Sequence, residues 1–212
     1  ERLRRKKVFL SEGVLAVFEC KLTLKPKHVE EIFELAREIH GLEQQRAGKP
    51  IEELRSRIWV GLLAHSHQWS GSRVEPLKKA LMKGLSRVDH PASTPQGITV
   101  ADLGTVFPQH MAWVGASREN PDPEFNVEPE LEKFGPQGAI HTEYVMWDED
   151  VGILGNLLAE LLTALSVPGI SDFFDAVAVR GTGSTIASRF WQASVLSELA
   201  LRRAVKDSQS GL

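Results

Sequence analysis

Residues 14–24, VLAVFECKLTL, form an apolar and β-branched run that carries Glu19-Cys20-Lys21 in its second half. Such a composition is typical of a β-strand inside a sheet. Because successive side chains of a strand point to opposite faces, Glu19 and Lys21 share one face, about 7 Å apart, and Cys20 points to the other. A charged group in a low-dielectric layer is costly unless it is paired, hydrogen-bonded or bound to an ion. Glu19 and Lys21 are therefore either an ion pair at the end of a sheet or part of a functional site.

The predicted elements between residues 14 and 103 alternate between strands and helices. They are a strand at 14–24, an amphipathic helix from Pro26 to about Leu42, a strand at 58–64, a helix at 72–88 and a strand at 97–103. The strand at 58–64, IWVGLLA, is continuously apolar, as expected for a strand that helices cover on both faces. This alternation predicts an α/β fold in which helices flank a central mixed β-sheet.

The second half of the chain has weaker patterns. We expect a short strand at 111–115, a proline-rich surface insertion at 117–138, a strand at 139–147, a buried helix at 151–165 and an amphipathic C-terminal helix at 185–204. Residues 1–110 are accordingly interpreted as an α/β core. Residues 111–212 are interpreted as an insertion and a helical extension that pack on the same domain.

The composition narrows the class of protein. With 212 residues, of which 42% are hydrophobic and 25% charged, the chain is long enough to bury one sizeable core. The single cysteine, Cys20, excludes an internal disulfide and a cysteine-ligated zinc site, and it suits a cytoplasmic location. No apolar run is long enough to span a membrane, so we expect no membrane partner. The chain begins at Glu1 rather than Met, which leaves open whether residues precede it.

The formal net charge of −3 does not by itself indicate nucleic-acid binding. Residues 2–7, RLRRKK, nevertheless hold five basic side chains, and a local basic patch binds phosphates whatever the net charge. As an exposed and solvated segment the same run needs no function. Both interpretations stay open.

The strand that carries Glu19-Cys20-Lys21, followed by an amphipathic helix and a buried apolar strand, resembles the PD-(D/E)xK nuclease superfamily, which includes restriction endonucleases. Three segments, at 14–24, 59–67 and 98–104, are together similar to an uncharacterised bacterial domain family that is placed with these nucleases. The resemblance covers roughly residues 8–110 and implies a restriction-endonuclease-like core.

The resemblance implies a metal-dependent nuclease that acts on nucleic acid, with DNA as the expected partner and bacterial defence as the expected role. Glu19 matches the acid that binds Mg²⁺ or Mn²⁺, and Lys21 matches the catalytic lysine that assists the attacking water. Phosphodiester hydrolysis gathers negative charge on the phosphate, and a divalent ion held by hard oxygen ligands neutralises that charge. The second metal ligand of the superfamily, an Asp on the preceding strand, has no counterpart before Glu19. Glu12 is a weak substitute, because it lies in a predicted turn.

A second class of function fits the same residues. The missing Asp and the acidic net charge favour a nuclease-like domain without catalysis that serves as a binding or homo-oligomerisation module. An Asp-bearing strand upstream of Glu1 would favour the enzyme instead.

Other polar residues have structural interpretations. His65 and His67 alternate on a strand and could bind Zn²⁺ or Mn²⁺, but no acid or cysteine at a fitting spacing completes a site, so we expect surface histidines. Asp102 lies inside an apolar predicted strand and could be a carboxylate at or near a metal site, but such an Asp more often ends a strand and caps the following turn, and we expect that role. His141 and Glu143 are interpreted as an exposed strand face.

Residues 181–184, GTGS, precede the predicted C-terminal helix, where backbone N–H groups are able to hold an anion. The segment lacks the lysine and spacing of a phosphate-binding loop, so we expect Ser184 to be a helix N-cap instead. The five tryptophans are scattered along the chain, and core packing is expected for most of them.

Overall fold

The computed structural model describes residues 13–43, 50–70, 73–113, 138–147, 153, 157, 184–198 and 200–202. The basic run at 2–7, the glycines in 181–183 and almost all of the insertion at 117–138 lie outside the described residues. Of the helix predicted at 151–165, only Ile153 and Leu157 are described, and both are helical.

Six described strands form one mixed sheet. They are β1 (Ala16–Leu24), β2 (Trp59–His67), β3 (Gly97–Val100), β4 (Gly104–Trp113), β5 (Ala139–Trp147) and β6 (Ser184–Gln192). The strands lie side by side in chain order. β1, β2 and β3 are parallel, and each later strand is antiparallel to the strand before it. The predicted α/β fold with a central mixed sheet is confirmed.

The described helices are α1 (Pro26–Leu42), α2 (Pro50–Glu53) and α3 (Glu75–Leu85). Two short 3₁₀ helices lie at Pro91–Ser93 and Ala193–Val195. Within the part of the chain that the structure describes, no helix is long and apolar enough to cross a membrane.

Helix α1 follows β1 after a single residue, Lys25. Pro26 suits the first helical position, because the N–H that proline lacks has no partner within the helix there. Apolar side chains at helical spacing are buried under this helix; they are Val29, Ile32, Phe33 and Ala36. The helix carries the chain back across the sheet, so that β2 lies parallel to β1.

Helix α3 packs closely against α1. A Cβ atom on Gly84 would lie 2.4 Å from the ring of Phe33, so glycine is what lets the two helices approach at this point. On the solvent side, Glu30 of α1 pairs with Lys83 and with Arg87, at 2.7 Å in each case. The two helices therefore form one layer on the sheet.

The sheet separates two apolar clusters. The larger one lies beneath α1 and α3 and includes Leu62 and the fully buried Tyr144. On the other face, Trp59 packs with Phe107. The ring of Trp59 lies so close to the backbone that a Cβ on Gly97 would be 2.5 Å from it. The predicted core role is confirmed for this tryptophan.

The prediction of a C-terminal helix at 185–204 is wrong for most of that range. Ser184–Gln192 form β6, which pairs antiparallel with β5. Apolar side chains at four-residue spacing suggested a helix, but Phe190 and Trp191 are strand formers, and the neighbouring strand decides the outcome. Ser184 begins a strand, so its predicted role as a helix N-cap is also wrong.

Strand β4 begins at Gly104 rather than near residue 111. β3 ends at Val100, and the turn that follows brings the chain into Gly104, whose φ of 135° favours glycine. β4 runs across residue 110, where the sequence suggested a boundary, and β5 and β6 continue the same sheet.

Candidate active site at the end of strand β1

Glu19 and Lys21 lie on the face of β1 that is next to α1. Strand register pairs Glu19 with Leu62 and Lys21 with Ala64, and both of these partners belong to the core beneath α1 and α3. The two charged side chains are partly exposed, 27% for Glu19 and 25% for Lys21. The predicted common face of Glu19 and Lys21 is confirmed.

The Lys21 ammonium lies between two carboxylates. Its Nζ is 2.5 Å from Oε1 of Glu19 and donates to Oε2 of Glu31 at 3.4 Å. Glu31 belongs to the second turn of α1, and its side chain is 46% exposed. Since only one residue separates β1 from α1, this turn lies beside the end of the strand. The result is a cluster of one cation and two anions that solvent reaches.

Two shifts in pKa follow from this arrangement. The hydrogen bond to Glu19 raises the pKa of Lys21, against an opposing effect of desolvation. Burial, followed by the positive charge of Lys21, lowers the pKa of His28, which lies nearby on α1. His28 Nδ1 also accepts the backbone N–H of Lys25 at 3.2 Å. At neutral pH the cluster therefore holds a charged lysine and a neutral imidazole.

The connection between β1 and α1 adds positive charge to the surroundings. Lys25 and Lys27 are both exposed, and they flank Pro26 at the start of the helix. The first turn of a helix also carries a partial positive charge from its unpaired N–H groups. These positive charges therefore lie at the same end of β1 as the two carboxylates that contact Lys21.

The carboxyl ends of the three parallel strands meet at this end of the sheet. The hydroxyls of Thr23 and Ser66 lie 3.3 Å apart, and the backbone N–H of His67 donates to Oδ2 of Asp102 at 3.3 Å. The strand predicted at 97–103 ends at Val100, so Asp102 lies in the turn after β3 and not at the end of the strand, and its carboxylate accepts an N–H of the neighbouring strand β2. These contacts join the ends of the strands that support the cluster.

His65 and His67 do not join the cluster around Lys21. His65 is exposed and follows Ala64, so it points to the face opposite Lys21. His67 Nδ1 accepts the backbone N–H of Trp69 at 3.2 Å, and the two rings stack at 5.2 Å. The contacts of His67 are those of a residue that orders the end of β2.

The predicted exposure of His141 and Glu143 is wrong, because only 6% of His141 and 9% of Glu143 is accessible. β5 lies between β4 and β6, so its side chains are covered more than those of an outer strand. Thr185 Oγ1 donates to Oε2 of Glu143 at 2.9 Å, and the ring of His141 stacks on Phe190 at 4.3 Å. Four strand spacings, roughly 19 Å, separate β5 from β1, so these residues form no common site with Glu19.

The residues that would hold a divalent ion near Lys21 are Glu19 and Glu31. Mg²⁺ is commonly bound by one or two carboxylates, with waters and substrate phosphates as its remaining ligands. The carboxylate oxygens of Glu19 and Glu31 are therefore donor atoms of a suitable type. Each carboxylate contacts Lys21 through one oxygen, which leaves its second oxygen for an ion. Among the described residues, no group of three His, Cys, Asp or Glu side chains surrounds a common metal position. The fit therefore rests on two protein ligands.

Sequence reasoning missed Glu31. It sought a second acid upstream of Glu19, on a preceding strand, whereas this carboxylate comes from the helix that follows. The available signal was the short connection: a helix that begins at Pro26 directly after β1 must return its first turns over the end of that strand. An acid in those turns is then close to Lys21.

Comparisons with known proteins add little to this geometry. No protein-family model matches the chain, and no curated protein matches it. Among solved structures, the chain is similar to the cAAA-bound form of NucC from P. aeruginosa ATCC27853, with 19% sequence identity over 71% of this chain and a TM-score of 0.41. The match covers 52% of that chain, so this chain spans about half its length. Similarity at this level assigns no family and no role to a residue.

Proposed function

We propose that the chain is a metal-dependent nuclease that hydrolyses phosphodiester bonds, with nucleic acid, and DNA in particular, as its substrate. The observation that carries the proposal is the position of the Lys21 ammonium between the carboxylates of Glu19 and Glu31, at the open end of three parallel strands. Glu19, the acid of the Glu-x-Lys pair, is the principal metal ligand, and Glu31 is the second.

Mg²⁺ or Mn²⁺, when bound, neutralises charge on the phosphate and lowers the pKa of a water molecule. Glu19 and Glu31 supply hard carboxylate oxygens for such an ion. They approach from different elements, β1 and α1, so the separation of the two ligands depends on the packing of the helix on the sheet. That packing is held by the buried stripe of α1.

Lys21 acts as a cation in this proposal. Its raised pKa keeps the ammonium protonated at neutral pH, which suits stabilisation of the negative charge that develops on the phosphate. A raised pKa suits removal of a proton from water less well, because a general base must be unprotonated at the working pH. Lys21 therefore positions and stabilises, and Glu19 orients the ammonium through their contact.

The surroundings favour a polyanionic substrate. Exposed Lys25 and Lys27 and the first turn of α1 lie at the β1–α1 connection, within a few residues of Lys21. Lysines and helix N-termini bind phosphate oxygens without regard to base sequence. A phosphodiester backbone is the biological polymer that matches this charge pattern. A role in bacterial defence, in the cytoplasm, is proposed from the resemblance in sequence alone.

The test is cleavage of supercoiled plasmid by the 212-residue chain in Mg²⁺, in Mn²⁺ or in EDTA. We expect nicking or linearisation that needs the divalent ion and falls at least about 100-fold in Glu19→Gln and in Lys21→Ala. Glu34→Gln and Lys79→Ala are matched controls, because each removes one partner of an exposed ion pair elsewhere on α1 or α3. Circular dichroism establishes that each variant is folded.

Cleavage that survives in Lys21→Ala contradicts the proposal, as does cleavage that persists in EDTA. Equal losses in the two control variants also contradict it, because the site would then have no special importance. Calorimetric titration with Mn²⁺ adds a measurement that is independent of activity, and we expect weaker binding in Glu19→Gln.

A binding or homo-oligomerisation module without catalysis is the second candidate. The observation that favours it is the ion pairing of Lys21 with both carboxylates, since such a cluster also exists as a purely structural feature of a sheet end. A wild-type chain that neither cleaves plasmid nor binds Mn²⁺ would contradict the nuclease and favour this candidate.

A further inference from the structure

Strand β1 has one edge with no strand partner among the described residues. It pairs with β2, and β2 in turn pairs with β3, so β1 is the first strand of the sheet. Leu15 O accepts the backbone N–H of Trp59 at 3.0 Å, and residues in a parallel ladder alternate in the side to which their N–H and C=O groups point. The odd-numbered residues 17, 19 and 21 therefore bond toward β2. The backbone groups of Phe18 and Cys20 and the N–H of Leu22 therefore point outward from the sheet, whereas the Leu22 carbonyl accepts the Ser66 hydroxyl of β2 at 3.2 Å.

The outward-facing edge is accessible. Cys20 is exposed, and 79% of Leu22 is exposed. Among the large hydrophobic residues that the structure describes, only Leu42 is more exposed. A strand edge with open N–H and C=O groups is a template for another strand, and proteins usually protect a long one. Glu19 and Lys21 do not protect it, because they point to a face of the sheet rather than out from the edge.

We propose that this edge binds the same edge of a second copy of the chain, with the two β1 strands antiparallel about a two-fold axis at Cys20. β1 is a nine-residue strand, Ala16–Leu24, and Cys20 is its central residue. In this register Glu19 of each copy lies opposite Lys21 of the other, and Phe18 lies opposite Leu22. The strand is therefore complementary to itself.

The backbone supports the same register. Residues whose N–H and C=O groups point outward must lie opposite each other in an antiparallel pair, where they exchange two hydrogen bonds. The axis at Cys20 places Cys20 opposite its copy, where the two residues exchange both bonds, and Phe18 opposite Leu22, where the outward N–H of Leu22 meets the carbonyl of Phe18. Glu19 and Lys21 then form the non-hydrogen-bonded pairs, in which side chains lie closer together, with Cα atoms about 4.5 Å apart.

Charge excludes the two neighbouring registers. An axis at Glu19 would bring the two Glu19 carboxylates opposite each other, and an axis at Lys21 would do the same for two ammonium groups. Like charges directly opposite each other on paired strands are destabilising, whereas opposite charges stabilise. Of the registers that satisfy the outward backbone groups near the centre of β1, the axis at Cys20 is the one in which both charges meet their opposites.

The first experiment measures self-association of the whole chain by sedimentation equilibrium, without nucleic acid or metal. We expect a concentration-dependent dimer that Leu22→Pro weakens about tenfold or more, because proline removes an outward N–H while the bonds to β2 remain. Leu42→Ser is the matched control, since Leu42 is 84% exposed at the end of α1, away from this edge. A wild-type chain that is monomeric at all concentrations overturns the proposal, as does an equal effect of the control.

Charge variants test the register itself. Glu19→Lys alone and Lys21→Glu alone each place like charges opposite each other in a homodimer, so we expect both to dimerise about tenfold more weakly than wild type. A mixture of the two variants restores both opposite pairs, and we expect a heterodimer. A mixture that associates no better than its components overturns the register. Circular dichroism shows whether each variant is folded, and this comparison does not depend on any nuclease activity.

Cys20 supplies a direct reading of the axis, because it is the only cysteine in the chain. In the proposed dimer the two Cys20 residues lie opposite each other, with Cα atoms about 5.5 Å apart. A short bifunctional thiol reagent is therefore expected to yield covalent dimers from the wild type and few from Leu22→Pro. Equal yields from both proteins would mean that cross-linking follows random collision, which contradicts the proposal.

Discussion

The Glu43 carboxylate accepts the backbone N–H of Ile58 at 2.9 Å, and this contact joins the end of α1 to the residue before β2. The same carboxylate accepts the Ser56 hydroxyl at 2.6 Å and the Arg57 N–H at 3.0 Å. Burial opposes the charge on Glu43, but contacts with His40 and with these three donors outweigh it and lower the pKa of Glu43 to about 2. One side chain thus holds the connection between the first two strands.

We expect Glu43→Gln to destabilise the fold by about 1–3 kcal/mol at pH 7, because hydrogen bonds to a charged acceptor are lost. In the wild type, a pKa lowered in the folded state stabilises the protein above about pH 4.5, and this stabilisation is lost as the pH falls toward about 2. Urea unfolding at pH 7 and pH 3 measures both effects. The difference between wild type and variant should shrink at the lower pH.

Glu38→Gln is the control for this experiment, since Glu38 is an exposed residue of the same helix. A change within about 0.5 kcal/mol is expected there. A Glu43 variant as stable as this control would show that the carboxylate does not hold the connection.

Gly84→Ala and Gly41→Ala form a second matched pair. At Gly84 a new Cβ would lie 2.4 Å from the ring of Phe33, so the buried ring or the two helices must shift, and we expect a loss of about 1–3 kcal/mol. At Gly41 nothing lies within 4 Å, and alanine should be neutral or stabilising by up to about 1 kcal/mol. Thermal unfolding of the two variants should shift in opposite directions or by clearly different amounts. Equal shifts would refute the close helix contact.

Arg189 is expected to be a residue of structural importance. Its guanidinium donates to the backbone carbonyls of Leu85 and of Val88, the latter at 2.6 Å, and lies 4.1 Å over the ring of Trp191. It therefore ties β6 to the end of α3. Lysine lacks the planar guanidinium that lies over the Trp191 ring while donating to both carbonyls, so Arg189→Lys should cost about 1–3 kcal/mol.

Chemical denaturation measures this cost, with Arg202→Lys as the control. Arg202 is an exposed residue that pairs with Glu198, and such pairs contribute little. If Arg189→Lys loses no more stability than Arg202→Lys, the prediction is wrong.

Glu31→Gln tests whether Glu31 is the second metal ligand. We expect divalent-ion-dependent cleavage to fall about tenfold or more and the Mn²⁺ concentration needed for half-maximal cleavage to rise, because one of two carboxylate ligands is lost. Titration of Mn²⁺ in the plasmid assay gives both quantities. Unchanged metal dependence in Glu31→Gln would remove this residue from the site.

The first half of the fold was predictable because its patterns are local. The apolar stripe of α1 repeats at helical spacing, and Pro26 marks its beginning. Ala139–Trp147 was predicted with its observed bounds, although the burial of His141 and Glu143 was not. Their burial depends on β5 being an interior strand, and the order of strands in a sheet is a tertiary property.

β6 and Glu31 show where sequence reasoning ends. Ser184–Gln192 has apolar side chains compatible with either a helix or a strand, and pairing with β5 selects the strand. Glu31 is one of several acidic residues on the solvent-exposed side of α1. Only the position of the helix beside β1 shows that Glu31 is the one that contacts Lys21. In both cases the missing information is which element lies beside which.

Because β1 to β6 lie side by side in chain order, a ribosome delivers each described strand after the neighbour with which it pairs. A newly made strand can add to the open edge of the growing sheet, and none has to enter between two strands that are already paired. At a synthesis rate of about 5–20 residues per second, the parallel strands β1 to β3 have on the order of several seconds to fold before Ser184 is synthesised. Folding of this sheet during translation therefore needs no rearrangement of what has already formed.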